Sequence, residues 1–108
     1  MSKRPSNKTM KMLFAASGGV CAFPRCSTRL VDPDSKALLG EVCHINASSP
    51  GGPRFDRTKT DEERHQEDNL IILCPNHHSL IDQDPEKFSG SKLKTMKSQH
   101  QDLSLIHI

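Results

Sequence analysis

The stretch Asn69-Leu70-Ile71-Ile72-Leu73-Cys74-Pro75-Asn76-His77-His78-Ser79-Leu80-Ile81-Asp82 decides the fold. Asn69 to Leu73 is a short apolar run suited to a buried strand. Pro75 can open a helix, because a first-turn residue has no intrahelical use for its N–H. That helix carries His77, His78, Leu80 and Ile81, and Pro85 ends the segment. Consecutive helix residues point about 100° apart, so His77 and His78 can serve two different sites.

Upstream, Leu38 to Ile45 reads as a second strand, broken by Gly40 and ending Glu41-Val42-Cys43-His44-Ile45. Between the two strands, Ser48 to Lys59 is a Gly-, Pro- and Ser-rich loop. Thr60-Asp61-Glu62-Glu63 opens a short helix, with Thr60 as cap and Glu63 as its partner three residues on. Farther out, residues 8–17 place Met10, Leu13, Phe14 and Ser17 at helical spacing, and Gly18-Gly19 stops that helix. Thr28 to Val31 reads as a short strand before the turn Asp32-Pro33-Asp34-Ser35. Residues 91–103 form a last helix, with Leu93, Met96, His100 and Leu103 on one face. The expected class is α+β: a strand, a loop, a strand and a helix, with helices flanking them.

The chain has 108 residues, 33% of them apolar, with no Trp or Tyr. A core that small commonly needs a staple, and four Cys and six His supply the means. Cys21 and Cys26 bracket four residues, and Cys74 and His77 bracket two. Two short ligand pairs far apart in sequence are the pattern of a closed tetrahedral zinc site, in which each pair comes from one loop or helix start. The competing reading is buried free thiols. Cys43 could replace His77 in the set, but it precedes His44 on a strand that serves another purpose.

Net charge is +2 and the isoelectric point is near 8.4. This permits a nucleic-acid partner and excludes a histone-like binder. Lys3, Arg4, Lys8 and Lys11 precede the apolar run Met12 to Phe23, but Ser17-Gly18-Gly19 interrupts it, so a signal peptide is not expected. No stretch is long enough to span a membrane. A cytoplasmic, reducing location is expected, with cysteines acting as thiolate ligands.

The order strand, loop, strand, helix, with His44, Asn69 and His78 at these places, resembles the HNH or ββα-metal endonucleases. The Cys21–Cys26 and Cys74–His77 pairs resemble that family's zinc-bearing variant. The resemblance implies a metal-dependent endonuclease that hydrolyses DNA phosphodiester bonds. His44 would be the general base, since neutral imidazole titrates near working pH. His78 would hold a catalytic divalent ion, magnesium or another, distinct from the structural zinc, and Asn69 would fix the loop carrying His44. Many members carry a metal-ligating Asp or His just before the base, where this chain has Cys43. Three alternatives stay open: Cys43 ligates, Glu41 reaches in, or the ion keeps more waters.

In the loop after His44, Gly51-Gly52 would let backbone approach a phosphate and Arg54 would pair with it. With Asn69 to Asp82, this loop is similar to the nuclease domain that opens SAVED-containing, cyclic-oligonucleotide-activated (CBASS) anti-phage effectors. That likeness covers residues 8–102, after a disordered 1–7. It implies bacterial antiviral defence, a C-terminal sensor domain that this chain lacks, and a homo-oligomer on activation. Residues 103–108 depart from the pattern and read as a truncation point or foreign sequence. With no aromatic platform for stacking single-stranded bases, the expected partner is double-stranded DNA. The rival function is a zinc-finger-like module that binds nucleic acid or protein without cutting, and a third is a nuclease-derived domain without activity. His65 reads as part of an exposed helix face, His100 as a packing or phosphate contact, and Lys92, Lys94 and Lys97 as a solvated face.

Overall fold

The computed structural model describes residues 5–106, with side chains described to Leu103. Most of the segment proposed as disordered, residues 1–4, lies outside the described residues, as do 107–108. Helix α1 runs Asn7–Ala16 from an N-cap at Ser6, whose hydroxyl accepts from the Thr9 N–H at 3.1 Å. Leu13 is its buried residue and Phe14 packs against the core, whereas Met10, at the same helical spacing, is exposed.

Strand β1 (Glu41–His44) pairs antiparallel with β2 (Leu70–Leu73), Glu41 opposite Leu73 and His44 opposite Leu70. Every residue of β2 is buried. The expected strand at Thr28 to Val31 is reduced to two isolated bridges, Val20 with Arg29 and Val31 with Leu38. The second strand starts at Glu41 rather than Leu38. A side chain at Gly40 would come within 2.9 Å of Leu30, so the chain passes too close to Leu30 for anything but glycine.

Between the strands, helix α2 (Asp61–Arg64) has the expected capping box. Thr60 accepts from the Glu63 N–H, and the Glu63 carboxylate accepts from the Thr60 N–H. A 3₁₀ turn, Glu67–Asn69, leads into β2. Helix α3 (Pro75–Gln83) follows, with Pro75 in its first turn, and α4 runs Gly90–Ile106. The order β1, β2, α3 gives the ββα unit. A lone two-stranded sheet is marginal in water. This one is buttressed by Leu13, Leu30, Ile81 and Leu93, all nearly or fully buried.

Helix α4 is tied down by polar contacts as well. Lys97, expected on a solvated face, is buried; its ammonium meets Glu67 Oε1 at 3.0 Å and donates to the Glu67 carbonyl. His100 Nε2 lies 2.7 Å from the Ser17 carbonyl oxygen at the end of α1, which makes it a packing contact. No described helix is long and apolar enough to cross a membrane.

Candidate functional site

Two sites flank α3, one for each of its adjacent histidines. On one side, the ligand atoms of Cys21, Cys26, Cys74 and His77 all lie within 4.8 Å of one another. His77 Nδ1 is 3.6 Å from Cys21 Sγ and 3.3 Å from Cys74 Sγ. Ligands about 2.1–2.3 Å from a tetrahedral ion stand roughly 3.5–3.8 Å apart, so this group could bind a metal ion such as zinc. The Phe23 ring stacks on His77 with centroids 4.0 Å apart and planes 2° from parallel, which fixes the imidazole. Burial pushes the Cys21 thiol up to about 12. A thiolate at that position therefore needs a cation beside it.

On the other side is a cleft of about 260 Å³, lined by Val42, His44, Ser48, Pro53, His78 and Asp82 among others. Because β1 alternates, Val42 and His44 face this cleft while Cys43 turns into the core. Cys43 is 1% exposed and its thiol donates to the Glu41 carbonyl at 3.5 Å. Burial first, then the Asp82 and Glu41 carboxylates, push its pKa well up. Of the three open alternatives, ligation by Cys43 is the one this placement disfavours, because its thiol is directed into the core and away from the cleft.

His78 stands between two carboxylates. Glu41 Oε1 lies 2.8 Å from Nδ1 and Asp82 Oδ2 lies 3.1 Å from Nε2. Glu41 was among the open alternatives. Asp82 was in the quoted stretch without a role, although its spacing of four from His78 puts both on one helix face. Two ligands at right angles about 2.1 Å from an octahedral ion lie roughly 3.0 Å apart. The His78 Nε2–Asp82 Oδ2 pair therefore fits a divalent ion, the carboxylate suiting magnesium- or manganese-like ions and the imidazole suiting transition metals as well.

Asn69 is fully buried, and its side-chain amide makes three hydrogen bonds. Its Oδ1 accepts from the Asn46 N–H at 3.0 Å, and its Nδ2 donates to the carbonyls of Asn46 at 3.0 Å and Arg64 at 2.8 Å. It thus joins the backbone just after His44 to the end of α2.

Arg54 requires a correction. Its side chain is 5% exposed, and its guanidinium donates to the carbonyls of Ile45, Ile81 and Phe88 and to Asp82 Oδ1. Four of its five N–H groups are spent in this way and the side chain is buried, so it offers no paired fork to a phosphate. Arg54 instead pins the loop after β1 to the end of α3 and anchors Asp82 beside His78. Gly52 likewise has a packing reason, since a Cβ there would meet Ala47 at 2.6 Å, while Gly51 holds a φ of +85° in the open. Arg54→Met should lower the unfolding free energy by about 3 kcal/mol, because it leaves three carbonyls without their donor and takes the partner from the partly exposed Asp82. Urea unfolding of the metal-saturated protein measures this. A change confined to DNA affinity, with stability intact, would restore the phosphate role.

His65, read as exposed, is 8% exposed and lies against His44, with ring centroids 5.1 Å apart and planes at 89°. Helix α2 is a single turn, so helical periodicity gave no guide to its facing. Burial, with smaller contributions from His65 and His78 opposed by Asp82, pushes the His44 pKa below its ordinary value.

A family model described as HNH endonuclease matches residues 20–84, more than half of the chain. The chain belongs to the HNH endonuclease family. Membership implies metal-dependent nuclease activity, and the matched span of this HNH domain takes in the four-ligand metal group, His44, Asn69, His78 and Asp82. The comparison with curated proteins found no match.

Proposed function

We propose that this HNH domain hydrolyses phosphodiester bonds in duplex DNA, with His44 as general base and zinc in the Cys21, Cys26, Cys74 and His77 site. The observation that carries the reading is the cleft shared by His44, His78 and Asp82, where imidazole and carboxylate lie at metal-ligand spacing. Among the described residues His44 Nε2 is buried without a hydrogen-bond partner, so Nδ1 is the nitrogen assigned to take the proton from the attacking water. His78 Nε2 and Asp82 would hold the divalent ion, which when bound supplies positive charge against the phosphate and the leaving oxygen. Glu41 accepts the Nδ1–H of His78 and fixes its tautomer, the usual partner of a ligating imidazole. A zinc-finger-like binding module would need the four-ligand group but has no use for the His44, His78 and Asp82 constellation.

The resemblance to anti-phage effectors supports a further step: the domain works beside a sensor domain that brings nuclease domains together. A domain of net charge +2 grips phosphate weakly by itself. The chain alone should therefore nick plasmid slowly in magnesium or manganese, and fusion to a dimeric coiled coil should raise the rate. Duplex DNA should be cut in preference to RNA of the same sequence. A monomer as fast as the fused dimer would remove the oligomer proposal, and preferential RNA cutting would remove the DNA assignment.

A further inference from the structure

A general base needs a fixed ring as well as a free lone pair. In working histidines the orientation is ordinarily set by a hydrogen bond at the second ring nitrogen. His44 has no such bond: among the described residues, nothing hydrogen-bonds to its buried Nε2. The ring that packs against it belongs to His65, perpendicular at 5.1 Å. In a perpendicular pair the electropositive edge of one ring meets the electron-rich face of the other.

His65 is itself held fast. Its Nδ1 lies 2.8 Å from the Asp61 carbonyl oxygen, so that nitrogen carries a proton and donates it, one turn back along α2. The capping box at Thr60 and Glu63 fixes the start of that turn. Asn69 fixes its end through the Arg64 carbonyl, and the same amide holds Asn46, two residues beyond His44. Both histidines are thus registered to one buried asparagine.

We propose that His65 is the positioning residue of this site: its ring, anchored on the Asp61 carbonyl, holds the His44 imidazole in the orientation that turns Nδ1 toward the cleft. This rests on the reading of His44 as general base. The ring is what matters, so a substitution that keeps an aromatic ring keeps the function and one that removes it does not. His65 exchanges no proton with substrate.

The test compares parent, His65→Ala, His65→Phe and His44→Ala on a duplex oligonucleotide in manganese, with zinc content and melting temperature recorded for each. In parallel, the His44 ring-proton resonances, assigned by their loss in His44→Ala, report the ring current of a neighbouring aromatic without reference to cutting. The expected result is a kcat loss in His65→Ala on the order of ten- to a hundredfold from a mispositioned base, with KM unchanged and zinc retained. His65→Phe should recover most of the rate, and the His44 resonances should move in His65→Ala far more than in His65→Phe. Normal kcat in His65→Ala beside a dead His44→Ala overturns the positioning role and leaves the base assignment standing. A folded His65→Phe as slow as His65→Ala overturns it too. If His44→Ala still cuts, the base assignment fails, and the resonances alone judge the pairing: unmoved signals in His65→Ala overturn it. Should His65→Ala lose zinc or fold, the folded His65→Phe decides, a rate near the parent's supporting the role and a collapsed rate opposing it.

Discussion

His44→Ala should slow DNA cutting by on the order of a hundred- to ten-thousandfold, the usual effect of losing a positioned base, while zinc content and fold stay intact. His44 lies at the end of β1 with no hydrogen bond to Nε2 among the described residues, so removing its ring breaks none there. Extra magnesium or manganese should not help, because a proton acceptor is what is missing. His78→Ala should also stop cutting, yet respond in part to excess metal, because Asp82 and Glu41 remain at the site. The pH profile gives an independent mark. Burial, then His65 and His78 against the opposing Asp82, push the His44 pKa below its ordinary 6.5. A base acts when deprotonated, so kcat should rise with pH through that lowered value and level off above it. The acid limb should therefore lie below pH 6.5 and be missing from the residual activity of His44→Ala. A folded His44→Ala protein that cuts at more than about a tenth of the parent rate is incompatible with general-base loss.

Cys21→Ser should unfold the domain. Binding of structural zinc contributes about 10–16 kcal/mol of apparent free energy at neutral pH, against a total stability of about 5–15 kcal/mol for an ordinary domain. Cys21 is fully buried, its sulfur accepts from the Cys74 N–H at 3.2 Å, and it joins the loop after α1 to the start of α3. Losing it would remove one of the four proposed zinc ligands and the tie between those segments together. Metal analysis should show zinc gone, and circular dichroism should show helix content collapsed. A folded, zinc-free Cys21→Ser protein would mean that the apolar core holds the domain alone.

The ββα unit was legible because its signals are local. Pro75 opens α3, the four residues Leu70 to Leu73 form the buried strand, and Thr60 with Glu63 caps α2. The four-ligand group was legible because each pair sits on one short segment, so spacing alone brings its members together. What escaped depends on distant backbone. Arg54 looked like a phosphate contact in a glycine-rich loop, but its acceptors are carbonyls of Ile45, Ile81 and Phe88, up to 34 residues away. No pattern of side chains announces a carbonyl. His65 escaped because a one-turn helix has no face to compute. Asp82 could have been found from its helical spacing to His78, whereas the reach of Glu41, open as one of three alternatives in the sequence, is seen as a contact to His78 Nδ1 only once β1 and α3 are packed.

Zinc content and cutting should be measured together as divalent metal is stripped and returned to the coiled-coil-fused chain. The expected result is one zinc per chain that survives mild chelation with the fold, no cutting in that state, and full cutting when magnesium or manganese alone is added back. Plasmid that stays supercoiled with zinc-loaded, folded protein in millimolar magnesium or manganese, or that is cut equally in chelator, would contradict the assignment of a second, catalytic metal site at His78 and Asp82.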